Sequence, residues 1–256
     1  MRRVLSTSKL TKSGSQVLLD PSEAKHLTSV LRLGPGDEIE ILDGEGLRAR
    51  AKLTFREKSV LAELIENPST DPKLCSLPIH LCMSVLKGDA MEWVVEKAVE
   101  LGVRTLTPVE TEFTVVKIHK RGADSFQERW QRIADQALKQ CGRLDRMQIL
   151  APVSFEDILQ NQHPLLWLDE ALSGSNGTPG EHLVEKLKTI ESTKDLSLLI
   201  GPEGGFSATE KSRLLQLTGG GKHEITRAGL GALILRAETA ALLGISLLVG
   251  NHYGKK

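Results

Sequence analysis

Apolar and polar residues alternate with period two through the first part of the chain. Leu47, Ala49, Ala51 and Leu53 alternate with Arg48, Arg50 and Lys52, the pattern of a strand with one face buried and one in water. Glu38-Ile39-Glu40-Ile41 repeats the alternation, and Asp43-Gly44-Glu45-Gly46 between the two segments has hairpin chemistry. Ser59 to Ile65 reads as a further strand. Asp20-Pro21-Ser22-Glu23 starts a helix, with aspartate as cap, proline in the first turn and glutamate three residues on. That helix should run to about Leu31, and Gly34-Pro35-Gly36-Asp37 should turn the chain. Short strands of this kind fit a small barrel or curled sheet.

Asn67-Pro68-Ser69-Thr70-Asp71-Pro72 reads as a linker, and beyond it the period changes. Ile79 to Leu86 is an apolar strand, Met91 to Leu101 a helix with Gly102 just past its end, and Val103 to Val109 a strand. Ser125 with Glu128 should open a helix carrying Trp130, Ile133, Ala134, Ala137, Leu138 and Cys141 on one face. A strand at Leu165 to Leu168, a surface loop at Gly174 to Gly180, a helix at His182 to Ile190 and a strand from Leu196 complete the alternation. The apolar stretch from Ala240 to Gly250 reads as a buried helix. Alternating strands and helices imply an α/β domain with a mostly parallel sheet covered by helices. The expected division is residues 1–70 and 74–256.

Composition narrows the function. Apolar residues make up 40% and charged residues 26% of the 256 positions, as in an ordinary globular protein. Lysine plus arginine equals aspartate plus glutamate, 33 against 33, which argues against a wholesale polyanion binder but leaves room for local basic patches. Cys75, Cys82 and Cys141 form no CxxC pair, so buried reduced thiols are expected rather than disulfides or a zinc site. His26, His80, His163, His182 and His223 lack metal-ligand spacing, and no metal is expected. The first residues lack the apolar core of a signal peptide and no apolar run is long enough to span a bilayer, so a cytoplasmic protein is expected.

Two blocks carry the candidate chemistry. Leu196 to Glu210, LSLLIGPEGGFSATE, runs a strand into a Gly-rich elbow and then a helix start capped by Ser207 and Glu210. Such an elbow is either a tight turn needing positive φ or a loop whose bare amides grip a small ligand. Leu230 to Ala241, LGALILRAETAA, sets Arg236, Glu238 and Thr239 in an apolar run, where they either pair internally or serve a site. Gly44-Glu45-Gly46-Leu47-Arg48-Ala49 matches a dinucleotide fingerprint, but a strand follows it instead of a helix. Arg48, Arg50 and Lys52 form a basic stripe that is either a wet strand face or a phosphate contact. Lys117 to Arg121, and Arg143 with Arg146, are two further basic spots.

On these blocks the chain resembles the ribosomal RNA small subunit methyltransferase E family of the SPOUT superfamily. The likeness also rests on His26, Val30-Leu31-Arg32, Gly36-Asp37, Lys87-Gly88-Asp89, Glu96-Lys97, Glu100-Leu101-Gly102 and Gln140-Cys141-Gly142-Arg143. It implies a PUA-like β-barrel for RNA at the N-terminus and an α/β domain with a C-terminal trefoil knot. It also implies S-adenosylmethionine as methyl donor, a homodimer, and methylation at ring nitrogen 3 of a uridine in 16S ribosomal RNA of the small subunit. Cofactor positions carried over are Leu199, Ile200, Gly201, Pro202, Glu203, Gly204, Leu230, Gly231, Leu235 and Arg236, with Glu238 and Thr239 beside them. Arg236 would stabilise the uridine imide anion and Glu203 would take the proton. Arg32, Arg48, Arg50, Lys52, Lys87 and Arg143 would contact RNA. The chain departs from the family pattern at Phe113 and Leu233, where arginine is common, and at Met147, near an expected proline. The competing classes are a non-catalytic ribosome-assembly factor and a knotted methyltransferase acting on another RNA, such as transfer RNA.

Overall fold

The computed structural model describes residues 1–57, 59–116, 122–160, 163–173, 178–191, 194–218 and 225–254. The basic run Lys117 to Arg121, His223 and most of the Gly174 to Gly180 loop lie outside the described residues. The chain divides into two compact units, Met1–Cys75 with Asp135–Arg146, and Ser76–Ala134 with Met147–Lys256.

In the first unit, β1 (Arg2–Leu5), β2 (Gln16–Leu18), β3 (Glu38–Leu42), β4 (Arg48–Arg56) and β5 (Ser59–Leu64) form one sheet in the order β1-β3-β4-β5-β2. Only the β1–β3 pairing is parallel. The turn between β3 and β4 is held by Asp43, whose Oδ1 accepts the N–H groups of Glu45 (2.8 Å) and Leu47 (2.9 Å). The glycines of the apparent dinucleotide fingerprint therefore serve a hairpin. Period two holds as read: Ala49, Ala51 and Leu53 are buried beside Ile39 and Ile41, while Arg50 and Lys52 face water. The first helical stretch runs to Val30 with Leu31 as its cap, as expected, but its winding differs. Asp20 caps α1 (Pro21–Lys25), but the backbone widens to a π-turn over His26–Val30. There Thr28 Oγ1 donates to the Ala24 carbonyl (2.9 Å), a side-chain bond that competes with the regular helical ladder.

In the second unit, β6 (Ile79–Ser84), β7 (Thr105–Glu110), β8 (Gln148–Ile149), β10 (Leu165–Leu168), β11 (Leu196–Ile200) and β12 (Ile225–Ala228) run in the order β12-β10-β11-β6-β7-β8. The short β9 (Val153–Ser154) adds to β7, and every pairing is parallel. Strands β10 and β11 are buried at every position, which is why they read as unbroken apolar runs. The helices are α2 (Ala90–Glu100), α3 (Ala123–Cys141), whose residues from Asp135 on belong to the first unit, α4 (Phe155–Ile158), α5 (Leu183–Leu187), α6 (Ala208–Leu217) and α7 (Ala237–Gly254).

Three expectations are corrected. Helix α3 begins two residues before Ser125, whose hydroxyl donates back to the Gly122 carbonyl (2.9 Å) from within the first turn. Only Cys82 is buried, and desolvation pushes its thiol up to about 12; Cys75 is partly exposed and Cys141 exposed. Helix α7 buries one face only, through Ala241, Gly244, Ile245 and Leu248. A side chain at Gly244 would meet Leu168 and Leu198 at 3.0 Å, so glycine lets α7 lie close against the sheet. Among the described residues no helix is long and apolar enough to cross a membrane.

Candidate functional site

The Gly-rich elbow leaves the carboxyl end of β11. The Gly205 N–H donates to the Pro202 carbonyl (2.9 Å), closing a tight turn, and Gly205 itself takes φ +69°, a conformation that favours glycine. The other two glycines answer to close approach instead: a Cβ at Gly201 would lie 3.0 Å from the Phe206 ring, and one at Gly204 would lie 3.3 Å from Phe113 Cβ. Ser207 caps α6 by accepting the Glu210 N–H (3.3 Å), and Glu210 Oε2 accepts the Ser207 N–H in return (2.8 Å). Glu210 is buried, and its second oxygen accepts the Glu112 N–H (2.9 Å) from the loop after β7.

The second block leaves the carboxyl end of β12. Gly231 takes φ +120°, and α7 starts at Ala237, with the Arg236 carbonyl accepting the Ala240 N–H (2.9 Å). Arg236 and Thr239 are exposed and Glu238 is partly exposed. They do stand at a helix entrance, Arg236 just before α7 and Glu238 and Thr239 in its first turn, but the expected burial is corrected, and no Arg236–Glu238 ion pair forms. Leu233 and Ile234 are 76% and 78% exposed.

The two blocks wall a cavity of about 600 Å³ that also takes in Ala90, Asp169, Glu170 and Ser173. It opens at the carboxyl ends of β10 and β11, where open parallel sheets bind ligands. Of the carried-over cofactor positions, Ile200, Gly201, Pro202, Glu203, Gly204, Leu230, Leu235, Arg236 and Glu238 line it. Leu199 instead packs in the core with Trp167 and Phe206, and Gly231 and Thr239 stand outside the lining. Sequence reading missed Asp169 and Glu170, although two carboxylates directly after an apolar strand were a signal available in Leu165 to Glu170. Asp169 accepts from Arg227 (2.7 Å) and Glu170 from Lys211 (2.6 Å). Glu203 Oε1 accepts the Lys87 N–H (3.1 Å), tying the loop after β6 to the elbow. Among the described residues neither Glu203, Glu238 nor Arg236 makes an ion pair. With two carboxylates and one guanidinium outside any ion pair on a lining that also carries apolar side chains, the cavity suits a ligand with both positive and negative groups and apolar parts.

The RNA candidates separate by environment. Arg50 pairs with Glu66 (2.9 Å), Arg48 with Glu40 (3.5 Å) and Lys52 with Glu38 (4.0 Å). The stripe is thus a charge-balanced strand face. The Arg143 side chain is 5% exposed and pairs with Asp145 (3.0 Å), so it is largely built into the first unit. Arg146 pairs with Asp135 (3.2 Å). Arg32 and Lys87 are exposed, and Arg32 holds φ +56°, an uncommon conformation for a side chain of its size.

The fold also collects histidines that the sequence scatters. His80, His163 and Asp195 bring their ligand atoms within 4.8 Å of one another. His80 Nε2 lies 2.9 Å from Asp195 Oδ1, its Nδ1 2.8 Å from Thr105 Oγ1, and its ring stacks on His163 at 4.3 Å. Arg104 Nη1 already sits 2.5 Å from the same Asp195 oxygen, so a dication there would face a guanidinium. The cluster is a hydrogen-bonded clasp at the amino ends of β6, β10 and β11. Desolvation, opposed by the Asp195 hydrogen bond, holds His80 below its usual 6.5, and the His80 hydrogen bond holds Asp195 below the usual carboxylate range. The unfolded chain therefore takes up the His80 proton first as pH falls below about 6.5, and stability drops with it. The thermal midpoint should fall between about pH 7.5 and 5.5, and less so in His80→Gln; equal slopes in the two proteins would refute this.

The chain matches two family descriptions: an RNA methyltransferase domain over residues 73–249 and an RNA methyltransferase PUA domain over residues 19–65. It is 29% identical to ribosomal RNA small subunit methyltransferase E of Bacillus subtilis, covering 88% of this chain and 86% of that protein. It is 31% identical to the protein of the same name from Synechocystis, covering 90% and 71%. A putative methyltransferase of Legionella pneumophila, solved with bound cofactor SAM, superposes with a TM-score of 0.78 at 29% identity over 96% of both chains. Ribosomal RNA small subunit methyltransferase E of Neisseria gonorrhoeae, bound to S-adenosyl methionine, gives 0.76 at 28% identity, covering 96% and 95%.

Proposed function

The chain belongs to the ribosomal RNA small subunit methyltransferase E family, and from that premise we propose that it methylates ring nitrogen 3 of a uridine in 16S ribosomal RNA with S-adenosylmethionine as donor. The observation that carries this reading is the cavity at the carboxyl ends of β10 and β11, with the unpaired guanidinium of Arg236 on its lining. S-adenosylmethionine, when bound, supplies a methyl group on a positively charged sulfur. The residues present fit it: backbone of Ile200 to Gly205 and Leu230 to Leu235 to hold its flat and extended parts, and Glu203 and Glu238 to favour its positive charge.

Uridine's imide nitrogen attacks only after losing its proton, so the chain must stabilise the resulting anion. Arg236 does this with a charge that no neighbouring carboxylate cancels. Glu203, with one oxygen held by the Lys87 N–H, presents its other oxygen as proton acceptor. The decisive experiment is labelled methyl transfer to small subunits lacking the modification, followed by mapping of the modified base. A label on N3 of one uridine is expected. Saturable donor binding without any transfer would favour a different RNA, and no donor binding would favour an assembly factor.

Arg32 and Lys87 are the exposed cations offered to RNA phosphates, and the balanced stripe on β4 contributes less. The left-handed backbone at Arg32 costs about 1 kcal/mol, so Arg32→Gly should raise stability by that order while lowering the salt slope of RNA binding by about 1. An unchanged salt slope would remove Arg32 from the interface.

The protein works as a homodimer in this reading. Helix α7, largely apolar in its middle, leaves Leu243 and Tyr253 37% and 52% exposed, and Trp93 on the adjoining α2 is 41% exposed. A second copy covering that face accounts for its composition, and a monomeric mass in sedimentation would overturn it. A ribosomal substrate places the protein in the cytoplasm.

A further inference from the structure

Phe113 stands on an unusually firm support for an exposed aromatic residue. It sits in the turn Thr111-Glu112-Phe113-Thr114, directly after β7. Thr111 and Thr114 are 4% and 2% exposed. The Thr111 N–H donates to Thr114 Oγ1 (2.9 Å), the two hydroxyls are 2.8 Å apart, and the Thr114 N–H returns to the Thr111 carbonyl (3.2 Å). The Glu112 N–H is held by the buried Glu210 carboxylate (2.9 Å), the same group that caps the helix following the Gly-rich elbow. From this fixed turn the Phe113 side chain lies against Gly204, yet remains 46% exposed.

An exposed aromatic ring gains nothing for folding from the part that faces water, and a turn locked by buried hydroxyls and a carboxylate leaves the backbone beneath it little freedom to withdraw it. The ring is not part of the cavity lining but lies against Gly204, which is. The methyl donor fills the cavity in the function proposed above, so the exposed surface beside Gly204 is left for the other reactant. That reactant is a strand of RNA, and its readable flat surfaces are base faces. Resting on that function, we propose that Phe113 is the platform on which a base of the RNA substrate stacks, positioning the target uridine at the mouth of the cavity. Phe113 is a positioning residue: it fixes where the base lies and takes no part in proton or methyl transfer. The chain is poor in aromatics, at 4%, so base stacking at this site falls to one rigidly mounted ring instead of a row of them.

The test uses the full chain with small subunits lacking the modification, comparing wild type with Phe113→Ala, Phe113→Leu and Phe113→Trp. Base–aromatic stacking predicts that Phe113→Ala raises KM for the subunit, or lowers kcat/KM, by roughly 5- to 150-fold. Phe113→Leu should share the defect, because it restores apolar bulk without a π-face, and Phe113→Trp should recover most of the loss. Donor affinity by calorimetry, the thermal midpoint and the oligomeric mass should stay at wild-type values throughout. The proposal is overturned by an unchanged subunit KM in Phe113→Ala, or by rescue with leucine as complete as with tryptophan. It is equally overturned if the loss appears in donor affinity, which would make the ring part of the cofactor site, or in the dimer mass, which would make it a subunit contact. A wild-type chain that transfers no methyl group to RNA overturns the function itself, whereas a fully active Phe113→Ala overturns the platform alone.

Discussion

Replacing Arg236 by alanine should lower methyl transfer about 10²- to 10³-fold, the usual loss when one preorganised group that meets developing charge is removed. The expectation rests on three features of its position. Arg236 is exposed immediately before α7, so its side chain supports no core and the thermal midpoint should stay near that of wild type. No carboxylate among the described residues neutralises it, so its full charge is available to the imide oxygen. It lines the same cavity as the Gly-rich elbow, so a donor held by the elbow would share that space with the guanidinium. Arg236→Lys keeps the charge but loses the planar fork, and should recover only part of the rate. The measurement is single-turnover transfer at saturating donor and RNA, with donor affinity determined separately. A loss confined to donor affinity would make Arg236 a binding group, and near-normal turnover would remove it from the mechanism.

How much of this was legible in the sequence differs between the two units and between backbone and side chains. Period-two segments and capping signals are local properties, and they placed the hairpin at Asp43 to Leu47, the cap at Ser207 with Glu210, and the parallel strands. The α/β fold and its family follow from the same blocks, and the comparisons confirm both. What sequence could not show depends on distance. Whether Arg236 lies in a core or at a loop depends on which face of α7 meets the sheet, a matter settled by Gly244 lying against Leu168 and Leu198. Arg48, Arg50 and Lys52 read as a bare cationic stripe because their partners, Glu38, Glu40 and Glu66, come from neighbouring strands. The histidines read as scattered because a parallel sheet returns every strand to the same edge, setting residues 80, 163 and 195 side by side. Phe113 registered only as a departure from a family pattern, since its mount is made by Glu210, 98 positions further on for the bonded Glu112.

Glu210 is where these levels meet, and its removal should have the largest effect on stability of any change near the site. Its two carboxylate oxygens accept two backbone N–H groups, from Ser207 in the elbow and from Glu112 beneath Phe113. It also places a negative charge in the first turn of α6, where the helix dipole favours it. Glu210→Ala leaves both donors without their acceptor in a largely enclosed place, at about 1–3 kcal/mol for each buried donor. A total of about 2–6 kcal/mol should lower the thermal midpoint by roughly 4–24 °C for a chain of this size. Glu210→Gln should fall between, because one amide oxygen can still accept while the amide nitrogen cannot. The same change unpins two loops at once, so donor affinity and subunit KM should both worsen, whereas Arg236→Ala spares the first and Phe113→Ala spares it too. Ser207→Ala removes the hydroxyl half of the same cap, and combined with Glu210→Ala it should cost less than the sum of the two single changes, since they dismantle one network. A Glu210→Ala protein that melts with the wild type, or strictly additive losses with Ser207→Ala, would mean that the elbow and the Phe113 turn are held independently.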